Sequence, residues 1–89
     1  MFTLRVAATT EATKLRQAIA SCTRHYEEFS IRAIGRKAEA ALHDAIEGVE
    51  ALTGYPLLHT SHRESVTFDD GKRTALVMTC LPQRIRDEQ

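Results

Sequence analysis

The amino-acid sequence predicts one α/β domain of the two-layer α+β type, ordered β-α-β-α-β-β, with a mixed four-stranded sheet and two helices on one of its faces. Three observations predict it. Two short runs, "FTLRV" at 2–6 and "FSIRAI" at 29–34, alternate apolar and polar residues, the period of a half-buried strand. Each is followed by a stretch with apolar residues at helical spacing, over 12–26 and 38–52. The chain then closes on two β-rich runs around Asp70-Gly71, a dipeptide suited to a type I′ hairpin turn.

The elements follow in order. In the first strand Phe2, Leu4 and Val6 point one way, Thr3 and Arg5 the other. Thr9 or Thr10 is placed to cap the first helix, with Glu11 in its first turn, where the helix dipole favours an acid. Ala12, Leu15, Ala18, Ile19, Cys22 and Tyr26 form the apolar stripe, and Lys14, Arg16, Arg24 and Glu27 the wet side. The second strand turns Phe29, Ile31 and Ala33 to one side and Ser30 and Arg32 to the other. Gly35 ends it and supplies backbone angles that a tight strand-to-helix turn needs. The second helix buries Ala38, Ala41, Leu42, Ala45, Ile46, Val49 and Leu52 until Gly54 and Tyr55-Pro56 stop it. The hairpin occupies 64–81 and Pro82 ends it, so one domain is expected over 1–82 and a flexible tail over 83–89. Strand–helix–strand crossovers imply partly parallel pairing, to which the hairpin adds an antiparallel part.

Composition narrows the function. Lys plus Arg and Asp plus Glu number 12 each, so the net charge is zero and the excess of base typical of nucleic-acid-binding domains is missing. Any such activity must come from a local basic patch. Cys22 and Cys80 fall on apolar positions and read as reduced core residues. The start lacks the pattern of a signal peptide, and no run of 18 apolar residues occurs, so a cytoplasmic protein with no membrane partner is expected. There is no GxSxG, P-loop or GxGxxG motif, and no enzyme is expected. His59 and His62 form an HxxH, but no further donors stand at metal-binding spacing; neither metal nor cofactor is expected.

One feature of charge stands out. The second helix starts on Arg36 and Lys37 and carries Asp44, Glu47 and Glu50 in its later turns, the reverse of what its dipole prefers. Cations at that end cost about 0.3–1 kcal/mol each unless an anion neutralises them. Phosphate would do so, held by free helix N–H groups, a chelating Arg and a Lys point charge. A second copy packed antiparallel would do so differently, bringing Arg36 towards Glu50 of the other chain with His43 near the two-fold axis and Glu47 opposite Glu39. Arg5 and Arg32 share a face of the sheet, and Lys72 and Arg73 flank the hairpin turn, where Asp69 and Asp70 oppose them.

Three stretches, "LRVAATTEATKLRQAIA" at 4–20, "IRAIGRKA" at 31–38 and "DDGKRTALV" at 69–77, make the chain resemble the stage V sporulation protein S family of the Alba-like superfamily. Members of that family show an LRV strand running into a helix with an AIA run, an IxAIG strand end opening the second helix, and a hairpin reading close to ERTA. The resemblance implies an Alba-like fold, a homodimer, and binding of DNA or RNA through the loop after the first strand, the start of the second helix and the hairpin. The first loop here is "AATTEA", without the usual basic residues, while Gly35-Arg36-Lys37 is nearer to the Gly-Arg/Lys pattern of archaeal Alba proteins. The expected interface is therefore Gly35, Arg36 and Lys37, with Arg5, Arg32, Lys72 and Arg73 contributing field, and with little sequence preference. The alternative is a dimeric interaction or regulatory module that has lost nucleic-acid binding, which the neutral charge and Glu11 favour.

Overall fold

Seven elements follow one another along the chain: β1 (Phe2–Val6), α1 (Ala12–His25), β2 (Phe29–Ile34), α2 (Arg36–Ile46), α3 (Val49–Thr53), β3 (Leu57–Phe68) and β4 (Gly71–Pro82). The computed structural model describes residues 1–84. The sheet order is β1-β2-β4-β3. β1 runs parallel to β2, with Arg5 beside Arg32, while β4 runs antiparallel to both β2 and β3. This is the mixed four-stranded sheet that the alternation and the crossovers predict, with its helices on one face.

That face is set by strand alternation. Phe29, Ile31 and Ala33 of β2 and Leu76, Met78 and Cys80 of β4 are buried against Leu15, Ile19 and Cys22 of α1 and Ala38, Leu42 and Ala45 of α2. The residues between them, Ser30, Arg32 and Ile34 on β2 and Ala75, Val77 and Thr79 on β4, form the opposite face, which no helix covers. Burial raises the Cys80 thiol to about 12, with the neighbouring Cys22 adding to the shift, so both cysteines sit in the core as neutral thiols.

Several expectations are corrected. The second helix is two helices: α2 ends at Ile46 and α3 starts at Val49, across Gly48. A Cβ at Gly48 would collide with the Arg16 side chain, which reaches past it to the carbonyl oxygens of Ala45 (3.1 Å) and Asp44 (2.8 Å). The break turns Leu52 outward, to 48% exposure. Neither Thr9 nor Thr10 caps α1. The Thr10 hydroxyl instead accepts from the Ala7 N–H at 2.9 Å, and Glu11 is the N-cap residue, not a first-turn acid. Tyr26 lies beyond the helix and stacks on Phe2, ring centroids 4.9 Å apart.

The hairpin turn also differs. Phe68 pairs with Gly71, so Asp69 and Asp70 are the turn residues. Neither has a positive φ, which excludes type I′, and Gly71 takes the left-handed angle (φ 131°) instead. β3 begins seven residues before the sequence-predicted hairpin, at Leu57. It was hidden because it is an edge strand exposed on both faces, with no apolar alternation to betray it. Of the expected tail, Gln83 and Arg84 are tied down: the Gln83 N–H donates to Pro56 at 2.9 Å, and Arg84 donates to the Thr23 and Tyr26 carbonyls at 2.7 and 2.9 Å. The remainder of that tail, 85–89, lies outside the described residues.

Candidate nucleic-acid interface

The ends of the strands decide what the candidate residues share. β4 pairs with β2 only over Ala75–Cys80, so residues 71–74 and their β3 partners 65–68 run on past Ile34 as a two-stranded arm. Four residues of strand carry the arm about 13 Å beyond the sheet, and the molecule measures 55 × 23 × 16 Å. Because β1 and β2 are parallel, this is the end where both finish and where α2 begins. The topology thus brings Gly35, Arg36 and Lys37, the carboxyl ends of β1 and β2, and Lys72 and Arg73 to one end of the molecule.

Gly35 is the turn between β2 and α2. Its φ of 97° and ψ of 159° lie where L side chains are strained, and its carbonyl accepts from the Glu39 N–H at 3.0 Å to close the first helical turn. No side chain caps this end of α2. Arg36 and Lys37 follow at once, both exposed, and neither makes a hydrogen bond or ion pair among the described residues.

Sequence reasoning missed the device beside them. Glu39 stands in the first turn of α2, where an acid suits the dipole. Arg63 of β3 grips it with both terminal nitrogens, at 2.8 and 3.0 Å. The Arg63 hydrogen bond holds the Glu39 carboxyl below its usual range, outweighing a desolvation penalty, and the charges of Arg63 and His43 add to the effect. This bidentate contact ties the root of the arm to α2 and engages the acid of its first turn, so Glu39 is not left to compensate Arg36 and Lys37. No sequence signal marks it, since it joins residues 24 apart across an unforeseen strand.

The other predicted residues divide. Arg5 and Arg32 are direct neighbours across β1 and β2 on the open face, and they line a groove with Ile34, Val66 and Phe68. The Arg32 Nε is buried without a hydrogen-bond partner. Lys72 is exposed on the arm and unpaired among the described residues. Arg73 is not free: it bonds Asp70 at 2.8 Å and lies 5.1 Å from the Phe68 ring centroid. His43, Glu47 and Glu50 are all exposed, but the break at Gly48 puts Glu50 on α3, so they do not line one straight helix. His59 pairs with Cys80 and His62 with Val77, on opposite faces of β3, so the HxxH does not converge. Among the described residues no cluster of His, Cys, Asp or Glu is placed to hold a metal, and no helix is long and apolar enough to cross a membrane.

Among solved structures the chain is similar to Alba from Thermoplasma volcanium, with a TM-score of 0.61 and 13% sequence identity, over 89% of this chain and 98% of that one. The fold is therefore Alba-like; at that identity the likeness is one of architecture alone. No family model matches the chain, and no curated relative does.

Proposed function

We propose that this protein is a non-enzymatic nucleic-acid-binding protein that grips DNA or RNA through phosphate contacts, with little sequence preference. The observation that carries the reading is the pair Arg36 and Lys37, exposed at the uncapped start of α2 and unpaired among the described residues. A helix start offers outward N–H groups, and two cations there complete an anion site of the kind a phosphate backbone occupies. Lys72 on the arm and Arg5 and Arg32 on the sheet extend the positive field towards the same end. The Alba-like fold supports the reading, as does the sequence resemblance to the stage V sporulation protein S family, whose members bind nucleic acid as homodimers. We place the homodimer contact on the exposed faces of α2 and α3, with His43, Glu47 and Glu50 as its residues.

A second reading, a dimeric interaction module without nucleic-acid affinity, is favoured by one observation: Asp70 already holds Arg73, which weakens the grip of the arm. Titration of duplex DNA and single-stranded RNA at ~50 and ~200 mM salt separates the two, because phosphate-driven affinity falls steeply over that range. Binding at the lower salt that collapses at the higher is expected. Flat traces for both polymers at ~50 mM salt select the interaction module.

A further inference from the structure

The groove on the open face of the sheet has a chemistry that contact with a duplex backbone does not use. It encloses about 330 Å³, the small end of the range for ligand sites. Its lining is divided. On one side are Arg5 and Arg32, adjacent across β1 and β2 and without a carboxylate partner among the described residues. Two neighbouring guanidinium groups repel each other unless an anion joins them, and the buried Arg32 Nε lacks an acceptor. On the other side are Val66 and Phe68, with no charge. Phe68 is 39% exposed, and the Arg73 guanidinium lies over its ring.

We infer that this groove receives one unpaired nucleotide of a single-stranded nucleic acid, its phosphate on Arg5 and Arg32 and its base against Phe68. A nucleotide presents an anion and a flat π surface side by side, which matches the two halves of the lining. A base within a duplex has its faces covered by its neighbours and has nothing to offer Phe68. A base entering from the groove completes a stack with the ring and with Arg73, and its phosphate neutralises the neighbouring Arg5 and Arg32 guanidinium groups. The inference rests on the nucleic-acid reading above and adds to it a preference for unpaired bases.

The test compares two labelled strands of about ten nucleotides by fluorescence anisotropy, an ordinary DNA strand and an abasic strand that keeps every sugar and phosphate. The intact protein should bind the ordinary strand at least about fivefold more tightly, the contribution of a single stacked base. Phe68→Leu, which keeps apolar bulk and removes the ring, should erase that preference; Phe68→Tyr should retain it. Equal binding of both strands by the intact protein, or a preference that survives Phe68→Leu, overturns the inference and leaves the phosphate reading standing. Absence of binding to either strand at ~50 mM salt while duplex DNA still binds overturns the inference alone; absence of binding to these strands, to duplex DNA and to single-stranded RNA overturns both.

Discussion

The carboxyl ends of the helices and the amino end of α2 are treated in opposite ways. Each carboxyl end receives an arginine from elsewhere in the chain. Arg84 donates to the Thr23 and Tyr26 carbonyls at the end of α1, Arg16 to the Asp44 and Ala45 carbonyls of α2, and Arg24 to the Leu52 carbonyl of α3. These are the orphan acceptors that any helix leaves, and a cation there also suits the dipole. The reversed charge order of 36–53 is thus half resolved within the chain, because the acids of its later turns share that end with Arg16 and Arg24. Arg16 also stands 3.8 Å from the Asp44 carboxylate. The amino end of α2 gets no such treatment: Glu39 is taken by Arg63, and Arg36 and Lys37 are left over. Cations needed for folding are used inside the molecule, and the unused ones gather where β1, β2 and the arm meet.

This contrast predicts that the two sets of arginines fail differently. The largest effect on stability falls on Arg16. Arg16→Ala strips α2 of two carbonyl partners beside Gly48 and should lower unfolding free energy by about 1.5–3 kcal/mol in chemical denaturation, with nucleic-acid affinity of the folded protein unchanged. A loss no greater than that of Lys37→Ala would erase the distinction between the two ends.

Asp70→Asn has a smaller effect of the opposite kind. It releases Arg73 from its 2.8 Å ion pair. Exposed pairs of this kind are worth about 0.2–1 kcal/mol, so affinity should rise by no more than about fivefold in the same binding titration. Unchanged affinity would remove Arg73 from the interface.

The smallest effect is one of pH. Arg63 lowers the Glu39 carboxyl from 4.5, so its contribution is complete above that value and fades as the pH falls through the lowered one. The stability gap between the wild type and Glu39→Gln should therefore be present at neutral pH and close on acidification below about 4.5. Denaturation curves at both pH values read it directly. A gap that persists in acid would mean that the Arg63–Glu39 contact acts through packing alone.

The legible parts of the fold are those where one face is buried. β1, β2, α1 and the start of α2 declare themselves by period, because their apolar residues are the core. β3 has no buried face, so Leu57–Arg63 carried no pattern to read. The break at Gly48 was illegible for another reason: the stripe from Ala38 to Val49 stays in register across it, and the Arg16 side chain that packs against it comes from another helix. At the candidate site, Gly35-Arg36-Lys37 was visible as a local conflict between charge and dipole. The Arg63–Glu39 clamp and the groove beneath Phe68 were not: Arg63 lies in the part of β3 that shows no pattern, and the groove depends on the turn falling at Asp69-Asp70. Phe68 and Val66 were within reach once the Asp69-Asp70 turn fixed which residues share a face with Arg73.

Reversing the two unpaired cations tests the account most directly. Binding of duplex DNA and single-stranded RNA is measured at ~50 mM salt for the intact protein and for Arg36→Glu with Lys37→Glu, with thermal unfolding followed for each. Loss of binding to both polymers in a variant that melts at the same or a higher temperature, since acids suit that end of the helix, is the predicted result. Full affinity in a folded double variant would contradict it.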